Sequence, residues 1–263
     1  MKKIIAMLMA LMLVMTGIAV FTACDGNNEP AETTEATTEA APQVIKMATN
    51  AYFQPYEFYD DGKIVGIDAE IAAAIAEKLG MTLEIVDMEF DSIITAVNEG
   101  SVDFGMAGMT ITEDRLLEVD FSVSYANGVQ VIIVKEGSPI TCADDLFAEG
   151  ASYKVGVQLG TTGDIYATGD FGSENVTTYS NGNEAVLALL GGSVDCVIID
   201  NEPAKALVAA NAGLKILETA YANEDYAICV KKGNSELLAK IDAAIKELTA
   251  DGTIDAIIAK YIK

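Results

Sequence analysis

The stretch G-I-D-A-E-I-A-A-A-I-A-E-K-L-G-M-T-L-E-I-V, Gly66–Val86, changes periodicity partway along its length. Ile71, Ala74, Ile75 and Leu79 recur at intervals of three and four, which predicts a helix over Asp68–Leu79 ended by Gly80; Leu83–Val86 then reads as a strand. Working outward, Val44–Thr49 is an apolar strand before the helix. After it, Asp91 is the expected N-cap of a helix running through Asn98, with Gly100 past its end and a strand over Val102–Ala107. The order β-α-β-α-β implies a parallel sheet with right-handed crossovers.

A second alternation follows. Strands are expected at Val129–Val134, Lys154–Val157, Val176–Tyr179 and Val194–Ile199, and helices at Ala143–Phe147, Thr162–Thr168, Asn183–Leu190 and Pro203–Ala212. A strand at Tyr226–Val230 and helices at Ser235–Leu248 and Thr253–Ile262 close the chain. The first unit has too few residues to stand alone, so the C-terminal helices should return to complete it. Two extended crossings, near Tyr125–Gln130 and Asn223–Ile228, would then join two α/β lobes, an arrangement suited to closure around a ligand.

Composition prunes the functions open to such a fold. The 263 residues carry 16 Lys plus Arg against 40 Asp plus Glu, a formal charge of −24, with no His, no Trp and a single arginine, Arg115. Without histidine there is no Ser-His-Asp or Cys-His nucleophile and no His-containing zinc site. So acidic a surface repels polyanions, so no nucleic-acid partner is expected. No G-x-x-x-x-G-K-[ST] motif occurs, and Asp60-Asp61-Gly62 lacks calcium-loop spacing and reads as a hairpin turn; no cofactor or metal is expected.

The amino terminus has the make-up of an address. Lys2 and Lys3 precede an apolar run, Ile4–Val20, and the small residues Thr22 and Ala23 come before Cys24. The run is also nearly long enough for a retained membrane anchor. F-T-A-C resembles a bacterial lipoprotein signal, which implies cleavage after residue 23 and lipidation of Cys24. Residues 24–43 are polar and acidic without periodicity, a disordered tether. Cys142, Cys196 and Cys229 remain; the latter two sit in apolar runs and read as small core hydrophobes.

Five further motifs occur in order: T-N-A-Y-F-Q-P-Y-E-F (Thr49–Phe58), G-K-I-V-G-I-D-A-E-I (Gly62–Ile71), A-G-M-T-I-T-E-D-R (Ala107–Arg115), V-G-V-Q-L-G-T-T-G (Val155–Gly163) and V-D-C-V-I-I-D (Val194–Asp200). From Val44 to its end the chain resembles the extracellular solute-binding proteins of family 3, the polar amino-acid-binding components of ABC importers. The resemblance implies a periplasmic-binding-protein-like type II fold: lobe 1 from 44–126 plus 228–263, lobe 2 from 127–227, and a two-strand hinge. It implies an exported, lipid-anchored monomer outside the cytoplasmic membrane that delivers an L-amino acid to a permease and is not an enzyme. The alternatives are a cyclohexadienyl dehydratase-like enzyme on the same fold, or a sensor acting through a partner.

The same resemblance assigns site residues. Arg115, with Thr110 and Thr162, would hold the ligand's α-carboxylate; arginine's planar fork suits a carboxylate as lysine's point charge does not. Thr161 and Thr162 also follow Gly160 and open a helix, where unpaired amides favour anions. Asp200, with the Gly108 carbonyl, would take the α-ammonium, although a carboxylate before N-E-P is equally a helix cap. Phe53 and Phe90 would sandwich the ligand side chain, with Tyr52 and Tyr56 as weaker candidates and a place in the core as the alternative. Asn50 stands where many relatives carry Asp, and Gln158 faces the same region. This neutral amide pair implies a neutral polar ligand such as glutamine, or cystine, over arginine or lysine, with Glu57 or Glu89 as sources of compensating charge.

Overall fold

A computed structural model describes residues 43–217 and 219–262. The signal reading for residues 1–23, the lipidation of Cys24 and all but the last residue of the tether lie outside the described residues.

In chain order the strands and helices are β1 (Val44–Thr49), β2 (Tyr52–Phe53), β3 (Glu57–Asp60), β4 (Lys63–Val65), α1 (Ile67–Lys78), β5 (Thr82–Asp87), α2 (Ile93–Glu99), β6 (Phe104–Gly105), α3 (Glu113–Glu118), β7 (Val119–Phe121) and β8 (Ala126–Lys135). There follow β9 (Val155–Gln158), α4 (Thr162–Phe171), β10 (Val176–Tyr179), α5 (Gly182–Gly191), β11 (Cys196–Asp200), α6 (Asn201–Ala210), β12 (Leu214–Ile216), β13 (Ala222–Tyr226), β14 (Cys229–Lys231), α7 (Ser235–Ala250) and α8 (Thr253–Tyr261).

Two sheets organise these elements. The first has the order β5-β1-β6-β14-β7, parallel across β5, β1 and β6 and antiparallel at β14. The second runs β10-β9-β11-β8-β12, with β13 also paired to β8; β10, β9 and β11 are parallel and β8 is antiparallel to its neighbours. The antiparallel trio β2-β3-β4 forms a third, small sheet. Its β3–β4 turn holds Asp61 at φ 48° and Gly62 at φ 75°, the left-handed pair that a two-residue hairpin demands.

Each sheet has its own apolar cores. Ile71 and Ile75 of α1 share one cluster with Ile241, Ile245 and Leu248 of α7 and Ile254 of α8, so the C-terminal helices do return to the first sheet. Val186 and Leu189 of α5 pack with Val197 and Ile199 of β11 in the second. Cys196 and Cys229 are fully buried and unbridged, and burial pushes both thiols up to about 12.

The chain passes between the sheets twice, through 121–126 and 226–229, and the two passages are bonded to each other. Ser122 N donates to the Ile228 carbonyl at 2.9 Å, and Tyr125 N to the Tyr226 carbonyl at 3.0 Å. The single strand expected at Tyr226–Val230 is in fact two, interrupted at Ala227-Ile228, because Ala227 N turns aside to the Met109 carbonyl at 3.0 Å and Ile228 N to Ser122 Oγ at 3.0 Å. A second expectation also needs correction. Asp91 does not cap α2: residues Phe90–Ser92 form a 3-10 turn, the helix starts at Ile93, and no side chain caps it.

Candidate functional site

The A-G-M-T-I-T-E-D-R segment leaves the first sheet at β6 and is pinned to the crossing strand. Thr110 bridges Tyr226, and Ile111 N donates to the Asp225 carbonyl at 3.2 Å. Thr112 then caps α3, its Oγ1 accepting from Arg115 N at 3.2 Å, which fixes the backbone from which Arg115 projects. Its guanidinium is nearly buried. Nη1 donates to the Thr110 carbonyl at 2.7 Å, Nη2 reaches the Gly160 carbonyl beyond β9 at 3.0 Å, and the group lies 5.3 Å from the centroid of the Phe90 ring. Among the described residues no carboxylate stands within ion-pair distance of it, which excludes the surface salt bridge as its role. Burial pulls its pKa below the ordinary value, with Glu224 the leading opposing charge. A buried cation without an anion is unfavourable, and planar donors in that position suit a carboxylate.

Asp200 ends β11 and is 1% exposed. The helix cap is present. Oδ1 caps α6 by accepting from Glu202 N at 3.0 Å, while Oδ2 accepts from Val129 N at 3.0 Å and Tyr226 Oη at 2.8 Å. Oδ1 accepts one donor and keeps a second lone pair, so the cap leaves it capacity for a further donor. Burial pushes Asp200 up to about 6, against the pull of those three donors. Gly128 makes this cluster possible: a Cβ there would lie 2.2 Å from Tyr226 Oη and 2.7 Å from Asp200 Oδ2.

Asn50, Phe53, Phe90, Gly108, Thr110, Arg115, Gln158, Thr162 and Asp200 all line one cavity, so every ligand contact expected from the sequence is brought to one place. The space enclosed between these side chains is small, about 30 Å³. Gly108, at φ +53°, passes so close to Phe53 that a Cβ would sit 2.8 Å from the ring. Phe53 also touches the apolar clusters of both sheets and stacks on Tyr56 at 5.6 Å. Tyr56 is wholly buried behind it, Tyr52 is half exposed outside the cavity, and Glu89 is not among the lining residues. Thr161 caps α4, whose first turn leaves amides without intrahelical acceptors, and both it and Thr162 line the cavity.

Asn50 and Gln158 face each other rather than only the cavity. Gln158 Nε2 donates to Asn50 Oδ1 at 2.9 Å and to the Ser180 carbonyl at 3.1 Å, while Asn50 Nδ2 donates to the Met88 carbonyl at 2.8 Å. Gln130, Glu224 and Tyr226 line the cavity without having been expected there. Gln130 Nε2 donates to Glu224 Oε2 at 2.8 Å, and Glu224 Oε1 is buried with no donor. The polar run Y-A-N-E-D-Y gives no strand pattern; only the alternation A-N-G-V-Q-V-I-I-V hints that Gln130 is inward.

The model of the bacterial extracellular solute-binding proteins, family 3, matches residues 45–263. A probable histidine-binding protein of Neisseria gonorrhoeae is 31% identical over 246 residues, 91% of this chain and 89% of the relative. Two solved structures of an ancestral arginine-binding protein are similar in shape. The one bound to glutamine is 42% identical with a TM-score of 0.78 over 84% of this chain and 99% of that one. The one bound to arginine is 43% identical with a TM-score of 0.77 over 84% and 98%. The fold is therefore the periplasmic-binding-protein-like type II fold, two α/β lobes joined by a two-strand hinge.

Proposed function

The chain belongs to the bacterial extracellular solute-binding proteins of family 3, and we propose that it closes two lobes around one L-amino acid and delivers it to the permease of an ABC importer. The observation that carries this is Arg115, a buried guanidinium without a carboxylate, facing the same cavity as Asp200. An α-amino acid supplies an anion for the first and a cation for the second. In this reading the lobes are 44–126 plus 228–263 and 127–227, so Arg115 and Asp200 belong to different lobes and a zwitterion between them favours the closed state. Thr110 and Thr162 complete the carboxylate contacts, the Gly108 carbonyl joins Asp200 at the ammonium, and Phe53 and Phe90 flank the side chain.

The charge of the lining bears on the side chain. Among the described residues that line it, Asp200 and Glu224 are acids and Arg115 is the one base, while burial disfavours a charge on the third acid, Glu57. A zwitterion leaves that excess untouched, whereas a cationic side chain reduces it in a medium where charges interact strongly. The amide pair supports a neutral ligand less than its composition suggested, because Asn50 and Gln158 direct hydrogen bonds to each other. The ligand is accordingly a polar L-amino acid, with a cationic side chain preferred to a neutral one and an acidic one rejected. Outside the cleft, the proposal includes cleavage after residue 23, a lipid on Cys24 and a monomer on the outer face of the membrane.

Calorimetry with L-arginine, L-lysine, L-histidine, L-glutamine, L-cystine and L-glutamate tests both levels. Binding of arginine or lysine ahead of glutamine is expected. Binding of glutamine alone would overturn the side-chain assignment, and binding of none at millimolar concentration the whole proposal.

A further inference from the structure

Glu57 lines this cavity and Asp68 is bonded to its Gly108, and among the described residues no cation pairs with either. Glu57, on β3 beside Phe53, is 1% exposed, and neither of its oxygens has a donor; Asp68, in the first turn of α1, is fully buried. Asp68 Oδ2 accepts from Gly108 N at 2.8 Å and from Tyr125 Oη at 2.8 Å, whereas its Oδ1 has no donor. The two residues are neighbours: Asp68 N donates to the carbonyl of Tyr56, the residue before Glu57, at 2.9 Å, and each carboxyl shifts the titration of the other. Two carboxylates cannot bond without a proton between them. Asp68 already accepts two donors, which stabilises its ionised form, so the proton belongs on Glu57.

The partners of Asp68 give the pair its importance. Gly108 lines the cavity, and Tyr125 is the last residue before β8, on the passage between lobes. We infer that protonated Glu57 and ionised Asp68 form a positioning pair that holds the Gly108 loop and the Tyr125 crossing in register, so that ligand affinity depends on Glu57 keeping its proton. The ligand-affinity half of this rests on the proposed function; the shared proton does not.

The surroundings agree. The charged groups facing Glu57 are all acids, Asp68 on α1, Asp87 at the end of β5 and Asp200 at the end of β11, with the phenols of Tyr56 and Tyr125 beside the pair. Burial first, and then these anions, hold Glu57 well above the usual carboxyl range. Asp68 is pushed up only to about 6, because Gly108 N and Tyr125 Oη oppose its burial. At neutral pH the pair therefore carries one negative charge. Loss of its proton on the alkaline side would set two anions in contact and disturb both attachments.

Infrared difference spectroscopy of the ligand-free protein at pH 8, with and without Glu57→Gln, reads the proton directly. A protonated carboxyl band is expected in the parent and absent from the variant; no such band overturns the pair whatever the ligand proves to be. Titration with L-arginine, and with L-glutamine, reads the positioning. Glu57→Leu, which keeps bulk without a donor, should bind at least tenfold more weakly, and Glu57→Gln, whose amide N–H can replace the O–H, should recover most of that loss. Circular dichroism checks that the leucine variant folds; should it not, the band and the glutamine variant's pH profile decide alone. Where raising the pH removes the band, the parent-to-Gln affinity ratio should fall at the same pH. A ratio that stays constant through that point, or leucine binding as well as the parent, overturns the inference.

Discussion

Replacing Arg115 with methionine tests the central contact, because it separates binding from stability. The side chain keeps much of its length, but the buried charge and its forked donors go. Truncating one member of a buried, hydrogen-bonded charge pair costs about 2–5 kcal/mol, and each ~1.4 kcal/mol is tenfold, so affinity for the bound amino acid should fall by roughly 30-fold to a few thousandfold. The ligand-free protein responds differently. It loses the bonds from Nη1 to the Thr110 carbonyl and Nη2 to the Gly160 carbonyl, worth about 1.5–3 kcal/mol each for a charged donor. It is also relieved of burying a cation that no carboxylate neutralises, a penalty of several kcal/mol. These oppose, so its unfolding free energy should move by no more than about 2 kcal/mol. Calorimetry gives the first quantity and urea denaturation without ligand the second. Affinity within threefold of the parent, or a stability loss exceeding the binding loss, would refute the reasoning and make Arg115 a structural residue.

Three other perturbations follow from the same geometry. Asp200, pushed up to about 6 by burial, must be ionised to hold an ammonium, so affinity should weaken as pH falls through about 6 towards 5, an acid limb that Asp200→Asn would abolish along with most binding. Because its folded pKa is raised, its contribution to ligand-free stability is fully present below its unfolded value and lost as pH rises through about 6; denaturation midpoints at pH 4.5 and 7.5 check that sign. Gly128→Ala would place a Cβ 2.2 Å from Tyr226 Oη, and should lower stability by about 1–3 kcal/mol through overpacking and reduce affinity by displacing Asp200. Glu224→Gln removes one acid from the lining and should shift relative affinity from arginine towards glutamine by about tenfold; an unchanged ratio would remove charge balance as the basis of selectivity.

The parts legible in the sequence were those with local signals. Periodic apolar residues placed α1 and α7 within a residue or two of where they lie, and the resemblance carried by A-G-M-T-I-T-E-D-R, with the absence of any other arginine, singled out Arg115. The unread parts owe their structure to distant partners. β13, with the polar sequence A-N-E-D-Y, becomes a strand by pairing along β8, and only that pairing turns Glu224 and Tyr226 inward. β6 pairs with β1 and β14 over just Phe104–Gly105, so the longer apolar run around it overstated the strand. Asp91 looked like a cap because its neighbours on both sides fit one, but the chain makes a 3-10 turn first. Asn50 and Gln158 both line the cavity, while their mutual hydrogen bond, spanning 108 positions, had no trace in spacing.

That bond and the one from Arg115 to Gly160 have a kinetic side. Both join segments of the two sheets across the cavity and neither contains a ligand atom, so in the proposed two-lobed carrier they would hold the cleft shut irrespective of what occupies it. Each extends the lifetime of the closed form, and dissociation of any cargo must wait for both to break. Tight retention and prompt unloading thus compete in one pair of hydrogen bonds. In the proposed delivery cycle, their strength would set how fast a cycle can turn, a limit on throughput that an equilibrium affinity would not reveal.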